Sequence, residues 1–319
     1  MKNPAQKIIF AIIFCSLFIG GFLSTRLFYR QHRSAKNPSE FTRIGQFASQ
    51  DPIENSEDAP MYHPYGRPVS GPLIWENDQR FHEACAKYRT SIRMSAFQTI
   101  LPDPLPGEEY NVALAADILA GTVILPGRVF SANQIIGPYN RKRGFKEGPT
   151  YYGNQLIKTT GGGVCKIAST LYNVAALANL KIVERRQHGM LVPYVPPGQD
   201  ATVSDGDKDF KFKNTTAYPI VVWADTKENT LYMAIYGRVR PPKVIWHHKI
   251  LNRREYKTVY RYNYSLKPGQ EKVVMEGADG ILVKNWLTVE GPGGEIIRKD
   301  LGIDYYQPML RIVERGAPK

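Results

Sequence analysis

The chain has 319 residues and a formal net charge of +13, with 42 Lys and Arg against 29 Asp and Glu. Because the acidic residues are interspersed with the basic ones, the charge is a diffuse basic balance that excludes a nucleic-acid-binding stripe and suits an anionic neighbourhood such as lipid head groups or wall polymer. Three cysteines make a weak disulfide framework, and Cys85 and Cys165, the two outside the N-terminal apolar run, lack metal-ligand spacing; one disulfide between them is the alternative, and two free thiols with no metal or other cofactor are expected.

Ile8 to Thr25 carries no charge. At about 1.5 Å per residue it is just long enough to span the hydrocarbon core of a bilayer. It ends without a small-x-small cleavage site, which points to an uncleaved single-pass anchor with the body outside the cytoplasm. Lys2 and Lys7 precede the run and Arg26, Arg30, Arg33 and Lys36 follow it, so the flanking charges give no orientation. The expected class is α+β: a membrane anchor or signal over 1–30, a polar tether and lead-in over 31–95, a central α+β domain over 96–238, and a small all-β module over 239–319, separate or lightly packed.

Within the lead-in, DQRFHEACAKYR is one short helical candidate. In the central domain, EEYNVALAADILAG places Val112, Ala115, Ala116 and Leu119 on one helical face, and Gly121 ends it. TVILPGRVFSANQIIG reads as strand, Pro126–Gly127 turn, strand and loop. A second helix runs from about Cys165 to Leu180, with Ile167, Leu171, Val174, Ala175 and Ala178 at packing spacings. KIVERRQHGMLVPYV reads as strand, charged loop and strand. Asp200–Val203 and Asp209–Lys213 read as strand pieces, and YPIVVWADT with TLYMAIYGRV as a β pair. Beyond Val239 the chain alternates polar and apolar residues, with GPGGE at Gly291–Glu295 as a hairpin turn.

The chemistry centres on GGGVCKI, Gly161–Ile167. Three glycines before a helix let the backbone turn sharply or approach a ligand, and leave first-turn N–H groups free to stabilise an anion. If the anion is Cys165, its thiol is activated; if it is an acyl-intermediate oxygen, Gly162 and Gly163 contribute an oxyanion hole. Packing of a small cysteine at a tight helix start is the competing reading. His188 follows KIVERRQ, on a path that can return it to the start of the helix, and is the candidate base; a solvated loop histidine is the alternative. Asp200, after a Pro–Pro–Gly turn, is the first choice to orient the imidazole, with Asp209 and Glu184 behind it and a bond to its own turn as the plain alternative. Arg141 and Arg143, with Lys142 and Lys146, form a cationic loop able to hold a substrate carboxylate or simply to be solvated. Lys166 would raise the local potential and favour a thiolate. His247 and His248 are read as surface or edge residues of a strand.

NVALAADILAGTVILPGRVFSANQIIGPYN, GGGVCKIASTLYN, IVERRQHG, YVPPGQDATV and DFKFKNTTAYPIVV together resemble the VanW family, named after an accessory protein of B-type vancomycin resistance; the likeness runs from about Phe97 to Arg238. The C-terminal module is loosely similar to G5-type β extensions. The resemblance implies a wall-associated bacterial protein. It further implies a cysteine acyltransferase of the L,D-transpeptidase kind: Cys165 attacks the carbonyl of the third residue of a peptidoglycan stem peptide, and an amine from a second stem resolves the thioester into a 3–3 cross-link. A non-catalytic wall-binding or scaffold protein and a thiol peptidoglycan hydrolase are the alternatives. Two positions depart from the family's usual residues: Lys166 where Gln is common, and Gly189 where Ser is.

Overall fold

The computed structural model describes residues 63–101, 104–152 and 155–318. The expected anchor over 1–30, including Ile8 to Thr25, and the tether up to Met61 lie outside the described residues. Among the described residues no helix is long and apolar enough to cross a membrane. The expected architecture is corrected accordingly: the described fold is a mixed α and β body followed by strands, and the single-pass anchor, the membrane as partner and the membrane localisation have no spanning helix among the described residues to rest on.

The central sheet has five antiparallel strands in the order β1-β2-β10-β9-β3: β1 Gly66–Pro68, β2 Ile92–Ile100, β3 Thr122–Ile124, β9 Ile220–Lys227 and β10 Thr230–Gly237. Its side chains alternate between two buried faces, which is why YPIVVW reads as a continuous apolar run rather than a polar–apolar alternation. Phe97, Val222, Ala224, Met233 and Ile235 face one core, shared with helices α2 (Glu108–Leu119) and α4 (Cys165–Leu177). Ala96, Val221, Trp223, Ala234 and Tyr236 face a second, closed by Leu73, Trp75 and helix α1 (Gln79–Tyr88) through Phe81 and Cys85. Trp75 Nε1 donates to the Tyr236 hydroxyl at 2.9 Å across it. The segment expected as a lead-in therefore contributes an edge strand, a covering helix and the start of a central strand. β2 runs straight through the expected boundary at residue 95, because its register against β10 pairs Ile92 with Gly237 and Thr99 with Leu231.

α1 begins at Asp78, whose carboxylate accepts from Arg80 N, and ends at Arg89 in the left-handed region. α4 is buried on nearly every side. Its polar residues are hydrogen-bonded inside the core: Thr170 Oγ1 lies 2.9 Å from Thr99 Oγ1, and Asn173 Nδ2 donates to Gln199 O at 2.8 Å. Two short elements, β4 (Val129–Ser131) and the single turn α3 (Ala132–Ile135), precede the hairpin of β5 (Glu147–Tyr152) and β6 (Gln155–Thr160) that delivers the chain to α4. β7 (Lys181–Glu184) and β8 (Lys211–Lys213) complete a small sheet with β4, in the order β4-β8-β7. Asp200–Val203, expected as a strand piece, is irregular.

The C-terminal region holds two three-stranded sheets. β11 (Val244–Arg254), β14 (Gly280–Glu290) and β15 (Ile296–Tyr306) form one, in the order β11-β14-β15. β12 (Thr258–Asn263), β13 (Glu271–Met275) and β16 (Arg311–Gly316) form the other, in the order β12-β16-β13. The first sheet is not lightly packed. Trp246 and Leu287 enter the core of α4, with Trp246 edge-on to Tyr172 at 5.1 Å. His247, expected at a surface or edge, is buried, stacked on Trp286 and paired with Thr288 Oγ1 at 2.8 Å.

Candidate active site

The glycine run is shaped by neighbouring backbone. Gly161 and Gly163 have φ of 83° and 98°, a region that favours glycine. A Cβ at Gly162 would lie 2.2 Å from the backbone C and O of Gly148 in β5. Asn111 of α2 fastens this approach: its Nδ2 donates to Gly162 O at 2.9 Å and to Lys146 O at 2.8 Å, and its Oδ1 accepts from Lys146 N at 2.8 Å. The close approach anticipated for a ligand is thus made by the chain itself.

The helix starts at Cys165 without a side-chain cap. Its first amides turn inward: Lys166 N donates to Gly163 O at 3.1 Å and Ile167 N to Val164 O at 3.0 Å. Gly162 N is likewise engaged, on Thr159 O at 3.1 Å. The Gly163 and Cys165 amides have no hydrogen-bond partner among the described residues, so of the two glycines expected to donate to an oxyanion, Gly163 retains a free donor and Gly162 does not.

Cys165 is half-buried, and its Sγ donates to Val203 O at 3.6 Å. His188 stands close enough to act on the Cys165 thiol, and is itself bonded to Asp200, with Nδ1 2.6 Å from Oδ2. The same Oδ2 accepts from the His188 backbone N at 2.7 Å. Nδ1 therefore carries the proton toward the carboxylate, and Nε2 is the ring nitrogen left for the sulfur. Cys165, His188 and Asp200, separated by 23 and 12 positions in sequence, meet at one point. α4 holds the Asp200 loop from both sides, through Asn173 to Gln199 O and through Ser169 Oγ, which accepts from Ala201 N at 3.0 Å.

Burial pushes the Cys165 thiol up, but the hydrogen bond and charge of His188, aided by Lys208, outweigh it and bring it below the ordinary thiol range. Burial pushes the His188 imidazolium down; Asp200 and Cys165 reverse this and hold it at about 9. Burial also opposes the Asp200 carboxylate, and His188, Arg185 and Tyr306 together keep it at about 2. All three directions favour thiolate, imidazolium and carboxylate in a row.

The other expected site residues lie elsewhere. Lys166 is buried, with Nζ donating to Asn229 O at 3.1 Å and its ammonium pushed down to about 7 by burial; the lysine that biases the thiol is Lys208. Arg141 pairs with Glu147 at 2.6 Å in solvent, and Arg143 donates to Ile135 O at 2.9 Å. Asp209 caps the turn at Ser131 and Asn133, and Glu184 pairs with Lys211 at 2.7 Å, so neither competes for His188. Among the described residues no group of three His, Cys, Asp or Glu could hold a metal ion. Sequence reasoning missed Arg185, Asp304 and Tyr306. Arg185 donates to Asp200 Oδ1 at 2.9 Å and to Asp304 Oδ1 at 2.5 Å, and the Tyr306 hydroxyl donates to Asp200 Oδ1. Arg185 sits in the ERRQH stretch, where the only available signal was a charge next to the candidate base.

Comparison with known proteins agrees on the central segment. The family described as VanW like protein matches residues 107–236. "Uncharacterized protein YoaR" of Bacillus subtilis (strain 168) is 39% identical over 128 residues, 40% of this chain and 42% of that protein. "Vancomycin B-type resistance protein VanW" of Enterococcus faecalis (strain ATCC 700802 / V583) is 26% identical over 175 residues, 53% of this chain and 59% of that protein. The chain thus spans between two-fifths and three-fifths of the length of these relatives. Two solved structures are also similar: the IgA1 protease G5 domain, at 23% identity with a TM-score of 0.17 over 26% of this chain and all of that one, and HP0197-G5, at 21% and 0.14 over 23% of this chain and 99% of that one. Superpositions this loose assign no fold to the C-terminal strands. None of these descriptions states a reaction, so the cysteine-nucleophile and 3–3 transpeptidase labels drawn from the resemblance are not carried by them. What the comparisons establish is narrower: residues 107–236 of this chain are similar to the family described as VanW like protein.

Proposed function

We propose that the VanW-family domain works at the bacterial cell wall on peptidoglycan stem peptides, and that Cys165 is a nucleophile for acyl chemistry there. The observation that carries the chemistry is His188, bonded to Asp200 and placed to act on the Cys165 thiol. The wall and its stem peptides come from the family likeness. The Cys165 thiolate attacks a peptide carbonyl, forming the C–S bond. The Gly163 and Cys165 amides are the donors available to the tetrahedral oxygen. His188 then gives its proton to the departing amine as the C–N bond breaks, leaving a thioester. An amine or a water molecule attacks the thioester, His188 takes the proton from it, and the C–S bond breaks to release the Cys165 thiolate.

A second reading, a wall-binding protein whose thiol does not turn over, is favoured by a specific observation: the cationic groups expected to hold substrate are engaged in solvent or buried in the core. The test is incubation of the purified protein with disaccharide-tetrapeptide, read by intact mass. A Cys165 acyl adduct, absent in Cys165→Ala, is expected; its products, cross-linked or shortened, identify the acceptor as amine or water. Retention of the peptide by both proteins with no adduct would establish the binding reading instead.

A further inference from the structure

The last three residues of β15 and the one that follows grip the loop that carries His188, one contact after another. Asp304 takes Arg185 at 2.5 Å, Tyr305 O accepts from Gln187 Nε2 at 3.1 Å, and Gln307 N donates to Gly189 O at 2.7 Å. Between them the Tyr306 hydroxyl donates to Asp200 Oδ1 and accepts from Gly198 N at 2.8 Å. Tyr306 is 1% exposed and Asp304 5%. β15 cannot slide, because Tyr306 pairs with Ile281 and Tyr305 with Leu282 across to β14, and Asn285 of β14 donates to Asp304 Oδ2 at 3.3 Å. Asn285, Asp304, Tyr305, Tyr306 and Gln307 lie beyond residue 236, where the family match ends.

We propose that Tyr306 and Asp304 are positioning residues for Asp200, so that the C-terminal strands complete the thiol site and residues 107–236 do not suffice for it. The inference rests on reading Cys165, His188 and Asp200 as a thiol site. The charged and titratable groups in the row are few. Cys165 meets His188, Tyr139 and the field of Lys208; His188 meets Cys165 and Asp200. Asp200 meets His188, Arg185 and Tyr306, and Arg185 meets Asp200, Asp304 and, at 5.2 Å, the Tyr172 ring.

Each contact has its own sign. Tyr306→Phe removes a donor from the carboxylate and leaves it more basic toward His188, so the imidazolium survives to higher pH. Asp304→Asn removes one of the two acids that share Arg185, so the guanidinium draws more on Asp200 and the imidazolium is lost at lower pH. The experiment is the iodoacetamide alkylation rate of Cys165 against pH in the full chain, whose alkaline step reports His188. The expected result is a rise of that step in Tyr306→Phe and a fall in Asp304→Asn, each by about half a pH unit, or about threefold in the ionisation constant. Profiles that do not move apart, including an equal loss of rate in both variants, overturn the inference and leave β15 as scaffold. A wild-type Cys165 that alkylates as an ordinary thiol, with a single step, instead sinks the thiol-site reading beneath it.

Discussion

Asp200→Asn is the perturbation that most directly tests how the thiol is activated. The substitution keeps the shape of the side chain and removes its charge. In the wild type the imidazolium stands at about 9 although burial opposes it, and the hydrogen bond it donates to Asp200 is the foremost of the groups that raise it. If the carboxylate supplies about two pH units of that rise, its loss lowers the ratio of imidazolium to neutral imidazole about 100-fold, or about 3 kcal/mol. The fold is expected to survive. Arg185 keeps Asp304 at 2.5 Å and the Asp200 backbone carbonyl at 2.7 Å, and α4 keeps both flanking residues. The lost charged hydrogen bonds should cost about 1–3 kcal/mol of stability. The assay is the alkylation rate of Cys165 at about pH 8.5, between the lowered and the wild-type imidazolium values, followed by intact mass. Cys85 is the internal control, since it is buried and its thiol is pushed up by that burial. The expected result is a fall of between ten- and 100-fold with a thermal midpoint only a few degrees lower. A variant that alkylates within threefold of wild type while remaining folded would refute the claim that Asp200 holds the imidazolium.

The same row of charges makes stability depend on pH in two windows. His188 is raised to about 9, so its contribution is complete below the unfolded value of 6.5 and is lost as pH rises through about 9; Asp200 is depressed to about 2, so its contribution is complete above 3.8 and is lost as pH falls through about 2. Thermal midpoints should fall on both sides of that plateau, and Asp200→Asn should flatten both falls. Gly162→Ala should destabilise the protein by about 3 kcal/mol or more, seen in urea unfolding, because the new methyl meets the Gly148 backbone, which cannot move without breaking the β5–β6 hairpin. Lys166→Gln should stabilise the protein at pH 7. The buried ammonium is pushed down to about 7, so the folded state binds fewer protons than the unfolded one between about 7 and 10.5, and the lysine costs stability as pH falls through that window. The nearby Glu108, pushed up to about 7 by burial, can take a proton when the cation is gone. A midpoint that drops in Lys166→Gln at pH 7 would contradict this.

What the sequence reveals here follows the range of the interactions. α2 and α4 are legible because their apolar spacing is local, and β9 and β10 because their residues are strongly strand-forming. Of residues 63–95 only the helix in DQRFHEACAKYR is legible, because Trp75, Phe81 and Cys85 are scattered singly and acquire meaning only against the far face of a sheet made largely from residues 220–237. The glycine run has a cause within the fold that differs from the expected one. It is required by Gly148 and by two positive φ angles, and the thiol's partner is a histidine brought back by β7 rather than the amides of its own helix. Lys166 and the Arg141–Arg143 turn show the limit of charge read along the chain. One cation beside the cysteine in sequence is spent on Asn229, while Lys208, distant in sequence, is the one the sulfur feels.

The outer part of the site is the least legible of all. Nothing local to DYYQPM distinguishes Asp304 and Tyr306 from the residues of any strand end, and the alternation that identifies β15 assigns one face inward without saying what it meets. Their role depends on four successive contacts across more than 100 positions, between β15 and a loop with no regular structure. A charged loop such as ERRQH is ordinarily solvated. Here Arg185 is buried between two carboxylates, a placement that would be costly without both and that therefore couples the C-terminal strands to the geometry of His188.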